Sequence, residues 1–259
     1  MTNFDLIGSV EKAVAIVEIA EGVNEKELAE EIMKQNKNVK SVLKKISERK
    51  GEFRLRECKL IAGDENTEVV HKEYGYLLKV DPQKVYFSPR EATERQRIAE
   101  QVEAGETVLV MFSGICPFAI AIAKKQPDVE KVVAIEINPE AHEYAKENVR
   151  INKMAHKIVL IQGDVREQAK EYSGKFDRVV MPLPLGAGNF LDVAVNCLKK
   201  DGIIHLYSRG EGKNLYSNVL KLIEKNVKKK VKILDKRKVS AYAPGKWKVC
   251  IDFKVAGVP

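Results

Sequence analysis

Three short segments carry residues whose types and spacing suit a nucleoside ligand. The first, MFSGICPF, has Phe112 and, two places on, Gly114, where a glycine lets the backbone approach a ligand closely. The second, IEIN, has Glu136 and Ile137, with Glu136 22 residues after Gly114. A carboxylate there can accept hydrogen bonds from both ribose hydroxyls. The third, QGDV, offers Asp164 and Val165, and Asp164 can accept from an adenine amino group. A fourth segment, MPLPLGAGNF, sets Pro182, Leu183 and Pro184 in a stiff turn. Its two prolines lack N–H donors but keep carbonyls that can orient a base edge. Upstream, Arg90, Glu94 and Arg97 stand at intervals of four and three, so a helix would present all three on one side. Tyr86 and Phe87 lie just before them.

A dinucleotide and S-adenosylmethionine both fit the first three segments. A pyrophosphate needs a glycine-lined turn of the type G-x-G-x-x-G, rich in N–H donors. That fingerprint is absent, because Cys116 and Phe118 occupy part of the region. S-adenosylmethionine has no pyrophosphate and accepts a looser loop. The expected cofactor-binding residues are therefore Phe112, Gly114, Glu136, Ile137, Asp164 and Val165.

These segments need a scaffold that brings them to one place. From residue 105 the sequence alternates between apolar runs and amphipathic stretches: ETVLVMF, VEKVVAIEIN, KIVLIQGD, KFDRVVMPLP and IIHLYSRG read as strands, with helices between them. One of those helices, AGNFLDVAVNCLKKDG, is expected to close at Gly202. The segment VKILDKRKVSAYAPGKWKVCIDFKV supplies two further strands as a final hairpin. The pattern predicts a doubly wound, mostly parallel α/β sheet with an antiparallel strand added, and ligands binding beyond the strand ends. Residues 10–50 read as helical. Asn24 and Glu27 form a capping-box pattern, and Val39, Val42, Leu43 and Ile46 fall on one helical face. Residues 51–80 read as short strands. The expected division is a small α+β domain over 1–80, a junction with a linker helix over 81–104, and the cofactor domain over 105–259.

The chain has 259 residues, 44% hydrophobic and 32% charged, which fits a folded protein rather than a disordered or fibrous one. It shows no secretory signal and no apolar run long enough to span a membrane. The four cysteines and four histidines are scattered, so reduced cysteines and no metal site are expected. These features predict a cytoplasmic protein. Lys and Arg number 45 against 37 Asp and Glu, a net charge of +8. Residues 211–259 alone carry a net +9, which suits contact with a polyanion.

KVYFSPREATERQRI (84–98), VLVMFSGICPFAIAIAK (108–124), VVAIEINPEAHEYAKENVRINK (132–153), GDVRE (163–167) and DRVVMPLPLGAGNFLDVA (177–194) together resemble one family. GEFRLRECKLIAG and HKEYGYLLKVD extend the likeness to the small domain, so that it covers essentially residues 5–255. The chain resembles the archaeal and eukaryotic-type tRNA (guanine-37, N1)-methyltransferases and their wybutosine-synthesis relatives. SPR-x-x-x-ER-x-R followed by MFSG is far more specific than a generic nucleotide motif.

The resemblance implies a class I methyltransferase domain with a Rossmann-like doubly wound sheet, S-adenosylmethionine as cofactor and a small RNA-facing domain. It implies tRNA as partner and methyl transfer to N1 of guanosine 37, beside the anticodon. Alternatives are methylation of a tricyclic wybutosine intermediate, aminocarboxypropyl transfer to modified guanosine, and a non-catalytic RNA-binding module. Some relatives carry a further N-terminal domain, and this chain is expected to begin at the small domain. Two positions depart from the common pattern. Val110 stands where many relatives have Asp, and Pro182 where many methylating relatives have Asn. Pro182, Leu183 and Pro184 are the expected base-holding residues. Arg90 or Arg97 is expected to stabilise charge on guanine O6, and Glu94 to orient an arginine or act as base. Candidate tRNA contacts are Lys44, Lys45, Arg54, Arg56, Lys228, Lys229, Lys230 and Lys236. No protein partner or membrane is called for.

Overall fold

The computed structural model describes residues 4–47, 51, 53, 55–212, 214–243 and 245–257. At its start, β1 (Phe4–Gly8) pairs antiparallel with β2 (Ala13–Val17). Helix α1 (Glu25–Gln35) crosses over to β3 (Val39–Lys45), which lies parallel to β2. Asn24 caps α1 by accepting from the N–H groups of Lys26 at 3.1 Å and Glu27 at 3.4 Å. β4 (Cys58–Gly63) completes a sheet of order β1-β2-β3-β4.

Residues 10–50, expected to be helical throughout, contain one helix and two strands. β2 is buried on both sides, with Val14 in one core and Ala13, Ala15 and Val17 in another against Ala29 and Ile32 of α1. A strand covered on both faces reads as a continuous apolar run and shows no alternation. Val39, Val42 and Leu43 are buried in β3, but Ile46, the last member of the supposed helical stripe, is 55% exposed beyond its end.

A hairpin follows, β5 (Val69–Glu73) and β6 (Tyr76–Val80). A single 3-10 turn over Pro89–Glu91 then leads into α2 (Ala92–Glu100). The large sheet begins with β7 (Thr107–Met111), α3 (Pro117–Lys125), β8 (Lys131–Glu136), α4 (Pro139–Ile151) and β9 (Ile158–Gln162). It continues through α5 (Val165–Gln168), β10 (Phe176–Met181), α6 (Leu191–Cys197) and β11 (Leu198–Glu211). Helix α7 (Ser217–Asn226) precedes the hairpin of β12 (Val231–Ala243) and β13 (Lys246–Val255).

The sheet order is β12-β13-β11-β10-β7-β8-β9. β7 to β11 are parallel, and β13 and β12 are antiparallel additions. Alternate residues serve opposite cores: Val108 and Val110 of β7 face one, Leu109 and Met111 the other. The first core takes Ile98 of α2, Phe118 of α3 and Ala145 of α4; the second takes Leu191 of α6 and Val219 of α7. The chain winds from β7 out to β9, then returns to the other side of β7 as β10. That reversal opens a crevice beyond the C-terminal ends of β7 and β10.

α6 does not reach Gly202. It ends at Cys197, and residues 199–202 form an irregularity in β11 between the pairs Phe176↔Leu198 and Arg178↔Ile203. The β5–β6 hairpin is fastened to α4. Asn148 accepts from the Lys79 N–H at 2.6 Å and donates to its carbonyl at 3.1 Å, while Asn152 does the same for Leu77 at 2.9 and 2.7 Å. One core runs from Ile7 and Val14 through Tyr76 and Leu78 to Phe118, so packing is continuous across residue 80.

Candidate functional site

A cavity of about 650 Å³ lies at this crevice. All six expected cofactor residues, Phe112, Gly114, Glu136, Ile137, Asp164 and Val165, line it. Each stands at or just after the end of β7, β8 or β9. Phe112 has φ 55°, a left-handed conformation unusual for a side-chain-bearing residue and of a kind that clusters at functional sites. It turns the chain out of β7. Gly114 also has φ 55°, and a Cβ added there would meet no heavy atom within 4 Å, so the backbone itself forms the wall.

Glu136 is 8% exposed. Its Oε2 accepts the Gly114 N–H at 2.6 Å and its Oε1 the Asn138 N–H at 2.8 Å. A carboxylate offers about four lone-pair sites, so both oxygens retain capacity for ribose hydroxyls. Burial pushes the carboxyl above its usual range, against the pull of the backbone N–H groups. Asp164 caps α5 by accepting from the Arg166 N–H at 2.8 Å. Phe112 meets Phe190 edge-on at 4.9 Å, and the Arg166 guanidinium lies 4.7 Å from the Phe190 ring.

A smaller pocket of about 80 Å³ shares Tyr86, Phe112, Gly114 and Leu183 with the large one. Pro182, Leu183 and Pro184 line it, facing Ser88, Glu91 and Arg95. The expected base-holding loop therefore sits beside the expected cofactor cavity.

Glu94 and Arg97 pair with each other but Arg90 stands apart from them, and none of the three lines either pocket. Arg90 belongs to the 3-10 turn, not to α2, and pairs with Asp5 of β1. Glu94 and Arg97 face the sheet. Glu94 accepts from Arg97 at 2.7 Å and from the Tyr207 hydroxyl at 2.7 Å. Arg97 also pairs with Asp252, which bonds His205 at 2.7 Å. Arg178 reaches His205 at 2.9 Å and Glu106 at 2.9 Å, which extends this buried network across β10, β11 and β13. Interval counting placed these side chains on one side of a helix; burial of charge decides what that side faces.

The basic residues also divide. Lys44 pairs with Glu25 at 2.6 Å and Lys45 with Asp5 at 3.6 Å. Arg56 lines the large cavity. Arg54 lies outside the described residues. Lys228, Lys229 and Lys230 precede β12, whose other end, Ala243, lines the cavity. Thirteen strand residues separate the two ends, a span of roughly 40 Å. Lys236 stands partway along. The cations at the cavity itself include Arg209 and Lys246, which the sequence did not single out. Tyr86, Asn138, Leu185, Asn189, Phe190 and Tyr242 were missed as lining residues too. Only the antiparallel register, which sets Glu211 opposite Lys246, brings the β12–β13 turn to the end of β11.

The doubly wound sheet, its added antiparallel hairpin and the strand-end cavity define a class I methyltransferase fold with an N-terminal α+β part. The TRM5/TYW2 methyltransferase domain matches residues 69–234. The chain is 42% identical to the tRNA (guanine(37)-N(1))-methyltransferase Trm5b of Pyrococcus abyssi, over 98% of this chain and 75% of that protein. It is 36% identical to the tRNA(Phe) (4-demethylwyosine(37)-C(7)) aminocarboxypropyltransferase of Methanocaldococcus jannaschii, over 88% of this chain and 92% of that one. The crystal structure of Pyrococcus abyssi Trm5b superposes with a TM-score of 0.87 at 41% identity, covering 99% of this chain and 76% of that one. The complex structure of aTrm5 and tRNALeu superposes with a TM-score of 0.85 at 40% identity, covering 98% and 72%. This chain belongs to the TRM5/TYW2 methyltransferase family.

Proposed function

We propose that this chain transfers a methyl group from S-adenosylmethionine to N1 of guanosine 37 in tRNA. The observation that carries the proposal is the meeting of six residues from three strand ends on one cavity that shares lining residues with the Pro182–Pro184 pocket. The residues present fit the cofactor. Glu136 has lone pairs for the ribose, Asp164 an acceptor for the adenine amino group, and Phe112, Ile137 and Val165 apolar surface for the ring. When bound, the cofactor supplies a methyl group activated on a sulfonium.

The protein's own work is positioning and proton management. Guanine N1 becomes nucleophilic on losing its proton. Transfer then forms the N1–carbon bond and breaks the sulfur–carbon bond, with the proton passing to a base. Glu94 is our candidate for that base, in exchange for one of its bonds to Arg97 or Tyr207. Arg97 acts by holding Glu94, and Arg90 by tying the turn before α2 to β1. Arg56, Arg209 and Lys246 at the mouth suit the phosphates of an anticodon loop. The domain limits at 80 and 104 and a cytoplasmic location belong to the same proposal, and fractionation of the tagged chain tests the location. Release of S-adenosylhomocysteine on incubation with tRNA is the expected product; release of methylthioadenosine would assign aminocarboxypropyl transfer instead.

A further inference from the structure

Behind Glu94 runs a chain of buried polar groups to which the proposed function gives no role. Arg97 lies between two carboxylates, donating to Glu94 at 2.7 Å and also to Asp252. His205 bonds Asp252 at 2.7 Å, and Arg178 reaches His205 Nε2 at 2.9 Å. An arginine can only donate, so His205 Nε2 is the acceptor and the ring proton sits on Nδ1, facing Asp252. Burial depresses His205 below its ordinary 6.5, so the ring is neutral. Against its own burial, His205 and Arg97 hold the Asp252 carboxyl well below the usual carboxylate range. From the other side the Tyr207 hydroxyl donates to Glu94 at 2.7 Å. Burial raises that hydroxyl well above its ordinary value, so it stays a donor.

We propose that Asp252 and Tyr207 are positioning residues that tune the basicity of Glu94 in opposite directions. This inference rests on Glu94 being the base of the proposed methyl transfer. Asp252 engages one side of the Arg97 guanidinium and so divides its positive charge between two carboxylates. Glu94 is thereby held without an exclusive cation. Its Oε1 takes both the 2.7 Å bond from Arg97 and the Tyr207 hydroxyl. Its Oε2 has only the Arg97 Nε at 3.1 Å and Arg237 at 3.5 Å, so Oε2 is the oxygen freer to accept a proton. The other groups facing the pair come from β12 and β13. Asp235 lies 3.8 Å from Arg97, and Lys248 lies 4.8 Å from the centre of the Tyr207 ring. Burial pushes the Cys250 thiol up, so it stays neutral beside Arg97. Buried charges add little net stability over apolar packing, so stability alone does not account for this chain.

The two directions follow from the charges. Asp252→Asn removes an anion from Arg97, so the guanidinium charge falls wholly on Glu94. A carboxylate beside an unshared cation stays ionised to lower pH and takes a proton less readily. Tyr207→Phe removes a donor that favours the ionised form, so Glu94 takes a proton more readily. A residue that served packing alone would change the rate and leave the pH of the titration where it was.

The test is the pH dependence of single-turnover methyl transfer by the full chain, with S-adenosylmethionine and an unmodified tRNA transcript both saturating. The acid limb of that profile reports protonation of the base in the complex. Asp252→Asn should move the limb to lower pH by roughly 1–2 units, the effect of one interaction with a charged group, and lower the plateau rate about 3- to 10-fold. Tyr207→Phe should move the limb to higher pH by a similar amount. Cofactor affinity should be retained in both, since neither residue lines the cavity. A limb unmoved in either folded variant, or moved the same way in both, overturns the inference. If Asp252→Asn does not fold, Tyr207→Phe, which deletes one oxygen, decides alone: a limb at higher pH supports the inference and an unmoved limb overturns it. A Glu94→Gln variant as fast as wild type would instead remove the base itself, and the inference with it.

Discussion

The Glu136 carboxylate holds the Gly114 N–H at 2.6 Å, so the end of β8 is bonded to the loop after β7. One buried acid thereby shapes the glycine wall of the cavity, and in the proposed function it is the acceptor for a ribose. Glu136→Gln should weaken S-adenosylmethionine binding by about 1.5–3 kcal/mol, roughly 10- to 100-fold. Burial raises the carboxyl above its ordinary 4.5. Cofactor affinity should therefore fall with decreasing pH sooner than an ordinary carboxylate would dictate, and Glu136→Gln should remove that dependence. For stability the sign reverses: the fold favours the protonated acid, so the carboxyl's contribution should decline as pH rises through its raised range, and the Gln variant should lack that decline. Calorimetric titrations across pH, with thermal melts alongside, check both.

Glu73 and Arg95 form a buried pair that joins the β5–β6 hairpin to α2. Against its own burial, Arg95, His71 and Tyr76 hold the Glu73 carboxyl at about 2, down from 4.5. A depressed acid contributes stability above its ordinary value and loses it as pH falls toward its folded value. Arg95→Met should cost about 3–5 kcal/mol near neutrality, because it leaves a buried charge without its partner. The gap between variant and wild type should narrow between pH 4.5 and about 2. Urea unfolding at stepped pH measures it; a gap independent of pH would contradict the pairing.

Glu94 sits between Arg97 and the Tyr207 hydroxyl. Glu94→Gln should reduce the single-turnover methylation rate at least about tenfold, in the range of general-base catalysis. Cofactor affinity should stay within twofold of wild type, since Glu94 does not line the large cavity. Equal rates in rapid-quench measurements would remove Glu94 from the chemistry.

The large sheet was legible because each strand kept a period or a bounded apolar run, and the shared cavity was legible because its expected lining residues lie next to strand ends in sequence. β2 and β3 were misread since a doubly covered strand has no alternation to read, and Val39, Val42 and Leu43 satisfy helical spacing by coincidence. Glu94 and Arg97 were legible as a pair but not in direction, because their partners Tyr207 and Asp252 lie more than 100 residues away. Arg209, Lys246 and Tyr242 could be found only by folding the last hairpin back onto β11. The Lys228–Lys230 run was prominent by composition alone, and the fold puts it at the opposite end of β12 from the cavity.

tRNA affinity should fall steeply with salt, as expected when phosphates displace counterions. Arg209→Ala and Lys246→Ala should each weaken binding and reduce the logarithmic salt slope by about 1. Replacing Lys228, Lys229 and Lys230 together should have a smaller effect than either. Filter binding over a salt series decides; a larger effect at the lysine run would move the RNA surface away from the cavity.

The most direct test of methyl transfer to guanosine 37 is nucleoside mass spectrometry of an unmodified tRNA transcript after reaction with isotopically labelled S-adenosylmethionine. The account predicts one labelled methyl group per tRNA, recovered as N1-methylguanosine from position 37. Label found only in tRNA already carrying a tricyclic base, or at another nucleotide, would contradict it.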